Sequence, residues 1–451
     1  MGEWLGNQQG GSQLTELSLP EGPEWLQRLR EQAQSALLSS GLPDSSWEHW
    51  RHNNLSAFAR HELHAPSSSG DPGDGLAGLD DLLSTESAPR LIFIDGLLDL
   101  ERSRFDLLPS GINLTSLTSG LRLPREAKQP AGLARSADLQ SDPIMAMNTA
   151  LLRDGLFVHV QPGSSPDRPL LVVNYATSQC AGRICYPRLW VDVAQGAELQ
   201  LVEWHGGANR VDYVSAPVSE FFVAEGAEVG VARISEEGDE GQQIGAVRVE
   251  AQSNSRVSVH SYVCGGEQVR VELSASLQGG GGEAYLSGFH LSDGRSFVEH
   301  HSAVYHHCEQ TRSRQFFKGV LEGRSVSLFD GIVHVDSGAQ KTDAEQQNRN
   351  LVLSPMALAH SIPRLEIYAD DVRCSHGATA GQLDEAAIFY MRARGIEPQT
   401  AQALLTRAFA AQAIEFAPVV SAQEYELARL DDFLSLVTGG SASAELPQSG
   451  N

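Results

Sequence analysis

The feature that most constrains the fold is a turn-and-strand unit that repeats through the middle of the chain. The segments AQGAELQLVE, from Ala194 to Glu203, and AEGAEVGVAR, from Ala224 to Arg233, are near copies. Similar β-branched runs between glycine turns continue from about residue 145 to residue 380, with little helical periodicity. Such a pattern suits either a sandwich with many strands or a stacked β-solenoid. Near-identical turns and short strands favour the solenoid, in which each coil buries its inward residues against the neighbouring coils.

The two ends of the chain have a different pattern. Apolar residues at helical spacing predict a helix between Pro23 and Gly41, and the run PRLIFIDG, from Pro89 to Gly96, predicts a strand. The serine- and glycine-rich stretch Ala65–Gly75 predicts a linker, and helices follow Gly381. We therefore expect a mainly β protein, with a helical N-terminal region and flexible linker (1–88), a connecting segment (89–144), a parallel β-helix core (145–380), a C-terminal helical domain (381–437) and a disordered tail (438–451).

Composition limits the function classes. The 57 acidic and 33 basic residues give a formal net charge of −24, which disfavours a nucleic-acid partner because phosphates would be repelled. No run of apolar residues is long enough for a membrane span. Five cysteines are too few, and odd in number, for a disulfide framework in a chain of 451 residues. The first residues lack the basic and apolar regions of a signal peptide, so we expect a cytoplasmic protein.

A cysteine and a histidine lie two residues apart near the end of the repetitive region, at Cys374 and His376. On a strand, residues i and i+2 point to the same face, so the thiol and the imidazole project together. This pair suits soft or borderline metals and iron–sulfur clusters. One such pair is only half a ligand set, and a partner chain would have to supply the rest. The alternative is a buried cysteine beside a hydrogen-bonded histidine at the end of the solenoid.

Two further groups of polar residues are candidate sites. The run EHHSAVYHHCEQ contains His300, His301, His306, His307 and Cys308, which form either a metal site or side-chain ladders on successive coils. Strand alternation places His300, His306 and Cys308 on one face and His301 and His307 on the other. Three aspartates, Asp343, Asp370 and Asp371, suit either solvated turns or a carboxylate cluster of the kind used by β-solenoid sugar lyases.

Nucleotide hydrolysis is not expected of this chain. The four glycines from Gly279 to Gly282 lack the Gly-Lys-Ser/Thr end of a phosphate-binding loop, and no Walker A motif occurs elsewhere. We therefore expect no ATP bound by this chain. The C-terminal helices carry an apolar stripe that is either a cap for the solenoid or a docking face. Its members are Leu404, Leu405, Ala408, Phe409 and Ala411.

Four segments of the chain resemble the SufB/SufD family of iron–sulfur cluster assembly scaffolds. The most specific are FKGVLEGRSVSLFDGIVHVDSGAQKTDAEQQNRNLVLSP (Phe317–Pro355) and PRLEIYADDVRCSHGATAGQLDEAAIFYMRARGI (Pro363–Ile396). DPIMAMNTALLRDGLFVHVQPG (Asp142–Gly163) and PRLWVDVAQGAELQLVEWHGG (Pro187–Gly207) are also similar to the family pattern. Within the family, the Cys-Ser-His-Gly-Ala-Thr run resembles the SufD branch.

The resemblance implies a fold and a set of partners. It implies a right-handed parallel β-helix flanked by helical domains, and a non-catalytic scaffold that pairs with a SufB-like subunit, or with itself when isolated. A nascent iron–sulfur cluster would form at the interface with that partner, where His376 matches the family's histidine and Cys374 its neighbouring cysteine. The C-terminal helices would dock a SufC-like ATPase, through Arg392, Arg394, Gly395, Leu404, Leu405 and Phe409. The alternative from another class is a β-solenoid carbohydrate-active enzyme, a lyase or hydrolase, that uses the three aspartates.

Overall fold

The computed structural model describes residues 17–43, 47–51, 60–79, 82, 89–117, 122–123 and 139–438. Five α-helices lie in these ranges: α1 (Glu24–Ser40), α2 (Pro143–Leu151), α3 (Glu385–Arg392), α4 (Pro398–Ile414) and α5 (Val420–Thr438). Short 3₁₀ helices span Glu48–Trp50, Gly73–Leu79, Phe105–Leu107 and Ser178–Cys180. Residues 439–451 of the expected C-terminal tail lie outside the described part of the chain, as do residues 52–59, whereas Thr438 ends α5.

The described residues contain twenty-two strands, which follow one another along the chain. They are β1 (Arg90–Ile94), β2 (Leu97–Asp99), β3 (Ile112–Ser116), β4 (Arg122–Leu123), β5 (Leu156–Val160), β6 (Leu170–Ala176), β7 (Ile184–Cys185), β8 (Arg188–Val193), β9 (Glu198–Gly207), β10 (Tyr213–Ser215), β11 (Val218–Val223), β12 (Glu228–Glu236), β13 (Gly241–Ala251), β14 (Arg256–Cys264), β15 (Gln268–Leu277), β16 (Glu283–Ser292), β17 (Phe297–His306), β18 (Arg312–Leu321), β19 (Val326–Val335), β20 (Asp343–Val352), β21 (Leu358–Ile367) and β22 (Arg373–Gly381).

These strands form a β-solenoid of about eight turns. One sheet has the spatial order β2-β1-β6-β9-β12-β14-β16-β18-β20-β22, and the other runs β21-β19-β17-β15-β13-β11-β8-β5-β3-β4. From β12 onward, successive strands alternate between the two sheets, so each coil contributes one strand to each sheet. The fold class expected from the repeats is confirmed. The right-handed winding stays a prediction, and it is the hand that parallel crossovers almost always take.

The repeated turns are stacked in register. Glu228 pairs with Glu198 across adjacent strands, so the two Gly-Ala-Glu turns lie one above the other. Gly196 and Gly226 have φ angles of 64° and 66°, in the left-handed region where a side chain would be strained. The near-copies in the sequence therefore reflect the same backbone turn in consecutive coils.

The solenoid begins earlier than the expected boundary at residue 145. Strand β1 pairs in parallel with β6, so Arg90–Ile94 already belongs to the first coil. Residue 145 itself lies within α2, all nine of whose residues are buried. A helix that is buried all round shows no clear amphipathic period, and a five-residue strand does not reveal its distant partner, so neither feature could be read locally.

The predicted linker Ala65–Gly75 is partly packed against the solenoid. Ala65 is 7% exposed, the carbonyl of Pro66 accepts a hydrogen bond from Arg153, and Gly70 N donates to Asp95. The flexibility of this segment stays a prediction. Its composition signals irregular backbone, but irregular backbone can still be held by hydrogen bonds.

Helices cover both outer faces of the solenoid. Helices α1 and α2 pack on the face that includes Ile244 and Ala246, and α4 and α5 pack on the face that includes Tyr262 and Phe289. Gly41 N bonds to the carbonyl of Leu37 at the end of α1, which confirms the predicted stop. No helix in the described ranges combines the length and hydropathy needed to cross a bilayer.

Candidate functional site

The last coil of the solenoid is open. Within the described residues β22 pairs with β20 and β21 pairs with β19, and neither strand has a neighbour on its other side. Their residues are exposed or half-buried, whereas the same positions in earlier coils are mostly buried. Leu358 and Tyr368 at this end are 53% and 63% exposed. Unpaired edge strands with exposed apolar side chains form a surface suited to pairing with another chain.

Both residues of the Cys-x-His pair lie on this open strand. Cys374 pairs in register with Ala344, and His376 with Gln346, both buried residues of β20. The two side chains therefore continue the inward rows of the solenoid, at the coil where those rows reach the surface. Cys374 is partly buried against Val333 and neighbouring apolar residues, whereas His376 is exposed.

The Cys374 thiol holds its proton more firmly than an ordinary cysteine. Partial burial raises its pKa, and the Asp343 carboxylate adds to the rise against an opposing hydrogen bond from the backbone of Ala344. A thiolate is the form that binds metal, so a metal ion or a base has to displace this proton. His376 is the more accessible donor of the pair.

The inward row that ends at His376 changes from apolar to polar along the solenoid. In order of stacking it contains Leu201, Val231, Val259, Leu286, Gln315, Gln346 and His376. Gln346 Nε2 donates to Gln315 Oε1 at 2.9 Å, and Gln315 Nε2 donates to the carbonyl of Ile332 at 2.9 Å. Among the described residues, Gln346 Oε1 is buried without a hydrogen-bond partner. The amide ladder therefore ends in a free acceptor in the coil next to His376.

A shallow cavity of about 330 Å³ lies between β20 and β22. Its walls include Gln346, Asn348 and Ser375 together with His376. Most of the lining residues have polar side chains, and their amide and hydroxyl groups can hydrogen-bond to a ligand's atoms. This arrangement can hold a polar or metal-containing group beside the imidazole.

The histidine-rich run on β17 is divided between the two sides of the sheet. His300 and His306 are buried inside, and His301 lies outside, where it faces Glu299 at 2.5 Å. His307 and Cys308 follow the strand, so they do not extend its two rows. The predicted alternation is correct within β17. It places His300 and His306 on the opposite side of the sheet from His301. Burial lowers the pKa of His306 to about 4, with His307 and His334 adding to the effect, and its two ring nitrogens contact Thr311 and Ser313.

The three aspartates lie in and around turns. Asp343 begins β20 and pairs with Arg314 at 3.0 Å, which lowers its pKa. Asp370 and Asp371 are exposed in the turn before β22, where Asp371 N bonds to Gln340 Oε1. Among the described residues, the carboxylates of these three aspartates do not converge on one point. The geometry therefore fits the solvated-turn interpretation rather than a carboxylate cluster.

Two buried clusters were missed by the sequence analysis. Glu203 and Arg233 face each other inside the solenoid at 3.1 Å, and His205 lies 3.6 Å from Glu203. Counting by twos from the inward Leu199 would have shown that Glu203 and His205 point inward. The other cluster contains Asp95, Cys180 and Cys185, whose ligand atoms lie within 4.8 Å of one another. No local pattern joins these three residues, because they meet only through strand pairing.

The C-terminal helices present a second exposed surface. The buried face of α4 is made of Ala401, Thr406, Ala410, Ala413 and Ile414. Leu404 lies outside this face and is 36% exposed, and Phe389 and Tyr390 on α3 are 72% and 58% exposed. Arg394 stacks over the Tyr390 ring at 4.4 Å. Phe409 instead contacts the solenoid, because Lys318 Nζ lies 4.1 Å from the centre of its ring.

The chain is thus a mainly β protein whose solenoid has an open last coil, a Cys-x-His pair at its rim and helices on its outer faces. The family model described as SUF system FeS cluster assembly, SufBD core domain matches residues 175–409, and the SufBD protein N-terminal region matches residues 81–172. The chain belongs to the SufBD family of the SUF iron–sulfur cluster assembly system.

Curated relatives agree with this assignment. The iron–sulfur cluster assembly protein SufD of Escherichia coli is 27% identical over 87% of this chain and 90% of its own length. A SufBD family protein of Synechocystis is 28% identical over 87% of this chain and 88% of its own. The chloroplastic protein ABCI7 of Arabidopsis thaliana is 28% identical over 87% of this chain and 83% of its own. The carbohydrate-active alternative finds no support in these matches.

Proposed function

We propose that this chain is a SufD-type scaffold subunit in the cytoplasm, on whose open end iron–sulfur clusters are assembled together with a SufB-like subunit. The observation that carries the proposal is the exposure of His376 on the edge strand β22, beside the partly buried Cys374. Strand β22 supplies a row of free backbone groups for the partner, and the partner supplies the missing ligands. The same end is available for self-pairing when the chain is isolated.

An incomplete ligand set suits a cluster that must leave. A permanent iron–sulfur site is closed by four protein ligands, usually thiolates. Here one imidazole and one protonated thiol face the surface, so the cluster is cargo rather than a resident cofactor. Weak imidazole ligation on one side would ease its transfer to an acceptor protein.

Gln346 is the second element of the proposed site. Its Oε1 is a buried acceptor without a partner among the described residues, and it lies in the coil directly beneath His376. One imidazole N–H bonded to this oxygen would fix the tautomer and leave the other ring nitrogen for iron. The cavity between β20 and β22 provides the space in which that nitrogen meets the metal.

The test is anaerobic reconstitution of the complex formed with SufB-like and SufC-like partners. We expect His376→Ala to leave the complex intact by gel filtration and to abolish the visible absorbance that iron and sulfide produce in the native complex. The matched control is His360→Ala, which removes an exposed histidine from β21 at the same open end. Normal cluster yield from the His376 variant would refute the proposal.

We further propose that α3 and α4 dock the SufC-like ATPase. The exposed ring of Phe389, the Leu404 side chain and the stacked Tyr390–Arg394 pair are apolar and cationic groups suited to such a contact. Arg392, Gly395 and Leu405 belong to the same two helices and the turn between them. Phe409 would then act indirectly, by holding α4 on the solenoid through Lys318. ATP would be bound by the partner and not by this chain.

The docking proposal is tested by replacing Phe389 and Leu404 with aspartate. The double variant is expected to lose the ATPase from the gel-filtration complex while keeping the SufB-like subunit. Leu436→Asp is the control, because Leu436 is 83% exposed on α5, outside the proposed surface. Retention of the ATPase by the Phe389 and Leu404 double variant would rule the surface out.

A further inference from the structure

A buried cluster of two thiols and a carboxylate lies near the other end of the solenoid. Asp95, Cys180 and Cys185 are 1%, 0% and 2% exposed, and their ligand atoms all lie within 4.8 Å of one another. Asp95 comes from the turn between β1 and β2, Cys180 from the 3₁₀ helix after β6, and Cys185 from β7. Three donors from three separate segments therefore converge on one point.

The carboxylate is already oriented for this arrangement. Asp95 Oδ1 accepts hydrogen bonds from Thr177 N at 2.7 Å and from Cys180 Sγ at 3.1 Å. Asp95 Oδ2 accepts from Gly70 N at 2.7 Å and from Thr177 Oγ1 at 2.8 Å. Asp95 also has a φ of 54°, which a residue with a side chain seldom adopts. The fold holds the carboxylate against the thiols by several independent contacts.

We propose that Asp95, Cys180 and Cys185 form a binding site for one Zn²⁺ ion, in which they fill three of the four tetrahedral positions and a water molecule fills the fourth. Zinc takes thiolates at about 2.3 Å and carboxylate oxygens at about 2.0–2.2 Å in tetrahedral geometry. In such a site a sulfur and an oxygen lie roughly 3.5 Å apart. The observed distance of 3.1 Å between Cys180 Sγ and Asp95 Oδ1 has to lengthen only slightly for the metal to replace the shared proton.

Charge balance favours the exchange. Zinc binds thiolates rather than thiols, so the ion takes the place of the thiol protons of Cys180 and Cys185. Binding of Zn²⁺ releases two thiol protons, so two positive charges enter as two leave. The buried net charge is unchanged, and no new charge has to be desolvated.

The site would tie the N-terminal segment to the solenoid. Gly70 belongs to the segment that precedes the strands, Asp95 lies in the first hairpin, and both cysteines lie in the following coil. A metal at their junction stabilises the closed end of the solenoid and takes no part in cluster assembly at the open end. The inference is therefore independent of the proposed function.

The test uses the full chain carrying Cys374→Ser and His376→Ala, which removes the donors at the open end. We expect this reduced protein to bind one Co²⁺, with the near-ultraviolet sulfur-to-cobalt charge-transfer band of a thiolate site and release of two protons. Zn²⁺ should displace the cobalt and raise the melting temperature. Absence of the band in this protein would overturn the proposal.

Single substitutions in the same protein locate the ion. Cys180→Ser and Cys185→Ser should each abolish the charge-transfer band, and Asp95→Asn should weaken binding at least about tenfold. Cys264→Ser and Cys308→Ser are matched controls and should leave the band unchanged, because neither thiol belongs to the cluster. The site would be contradicted if the charge-transfer band survives both cysteine substitutions. It would also be contradicted if Cys180 and Cys185 form a disulfide and the protein takes up no metal after that bond is reduced.

Discussion

The two ends of the β-solenoid are built in opposite ways. At the end near residue 90, the antiparallel strands β2, β3 and β4 follow the first coil, and Leu98, Phe105 and Leu108 pack against the apolar interior. At the other end, β21 and β22 stop without a cover among the described residues. The interior also becomes more polar toward the open end, because one inward row begins with Leu201 and finishes with Gln346 and His376. A stack needs a cap at one end for stability, whereas an uncapped end is available for a partner.

The first test of this difference between the two ends uses the buried ion pair between Glu203 and Arg233, near the closed end. Burial alone would raise the pKa of Glu203, but Arg233 and His205 outweigh it and hold the pKa at about 2. We expect Arg233→Met to leave this carboxylate unpaired in the dry interior and to lower the free energy of unfolding by about 3–5 kcal/mol. Urea denaturation measures the change.

The control for the buried pair is a surface ion pair in the same sheet. Arg312 lies 3.3 Å from Glu283 and its side chain is about half exposed. Arg312→Ala should cost less than about 1 kcal/mol. Equal losses of unfolding free energy from the two arginine substitutions would mean that water reaches the interior near the closed end.

The second test compares the two ends of one inward row. Leu201→Ala opens a cavity between packed coils and should cost about 2–5 kcal/mol. His376→Ala in the same row, at the open end, should change the unfolding free energy by less than about 0.5 kcal/mol. Thermal and urea unfolding of both variants would check this. A large loss from the histidine substitution would show that the open end is part of the stable core.

The third test concerns acid stability. Burial lowers the pKa of His290 from 6.5 to about 4, so the folded protein keeps this imidazole neutral while the unfolded chain binds a proton. The resulting stability is present above pH 6.5 and is lost as the pH falls toward 4. The loss amounts to up to about 3 kcal/mol. His290→Asn should flatten the decline measured by urea denaturation between pH 7 and pH 5.

The fourth test has the smallest expected effect on stability. Leu358 and Leu100 are 53% and 54% exposed, at the open and the closed end respectively. Replacement of either by lysine should change the unfolding free energy by no more than about 0.5 kcal/mol. Only Leu358→Lys should reduce co-purification with the SufB-like subunit. Equal effects of the two substitutions on pairing would remove the distinction between the ends.

Much of the fold could be predicted because the repeats are local. The Gly-Ala-Glu turns and the alternation from Leu199 to Leu201 report strand structure within a few residues, and stacking follows from their repetition. The start of the solenoid at β1 could not be predicted in this way. Its pairing with β6 joins residues about 80 positions apart, and no short pattern encodes that contact.

The candidate site likewise depends partly on local sequence and partly on contacts between distant strands. The alternation of side chains along a strand was enough to place Cys374 and His376 on one face, and to place His300 and His301 on opposite faces. Whether that face would be buried or open depended on whether another coil followed β22. The burial of Glu203 and Arg233, and the meeting of Asp95 with two cysteines, depended on register between strands.

By itself the sequence determined the repeating turn, the alternation of each strand and the residues that share a face, because these depend on backbone geometry over a few positions. Tertiary structure decided which faces became interior, which end of the stack stayed open and which distant side chains met. Those outcomes depend on pairing between strands far apart in the chain, where contacts are set by the whole stack rather than by any one segment.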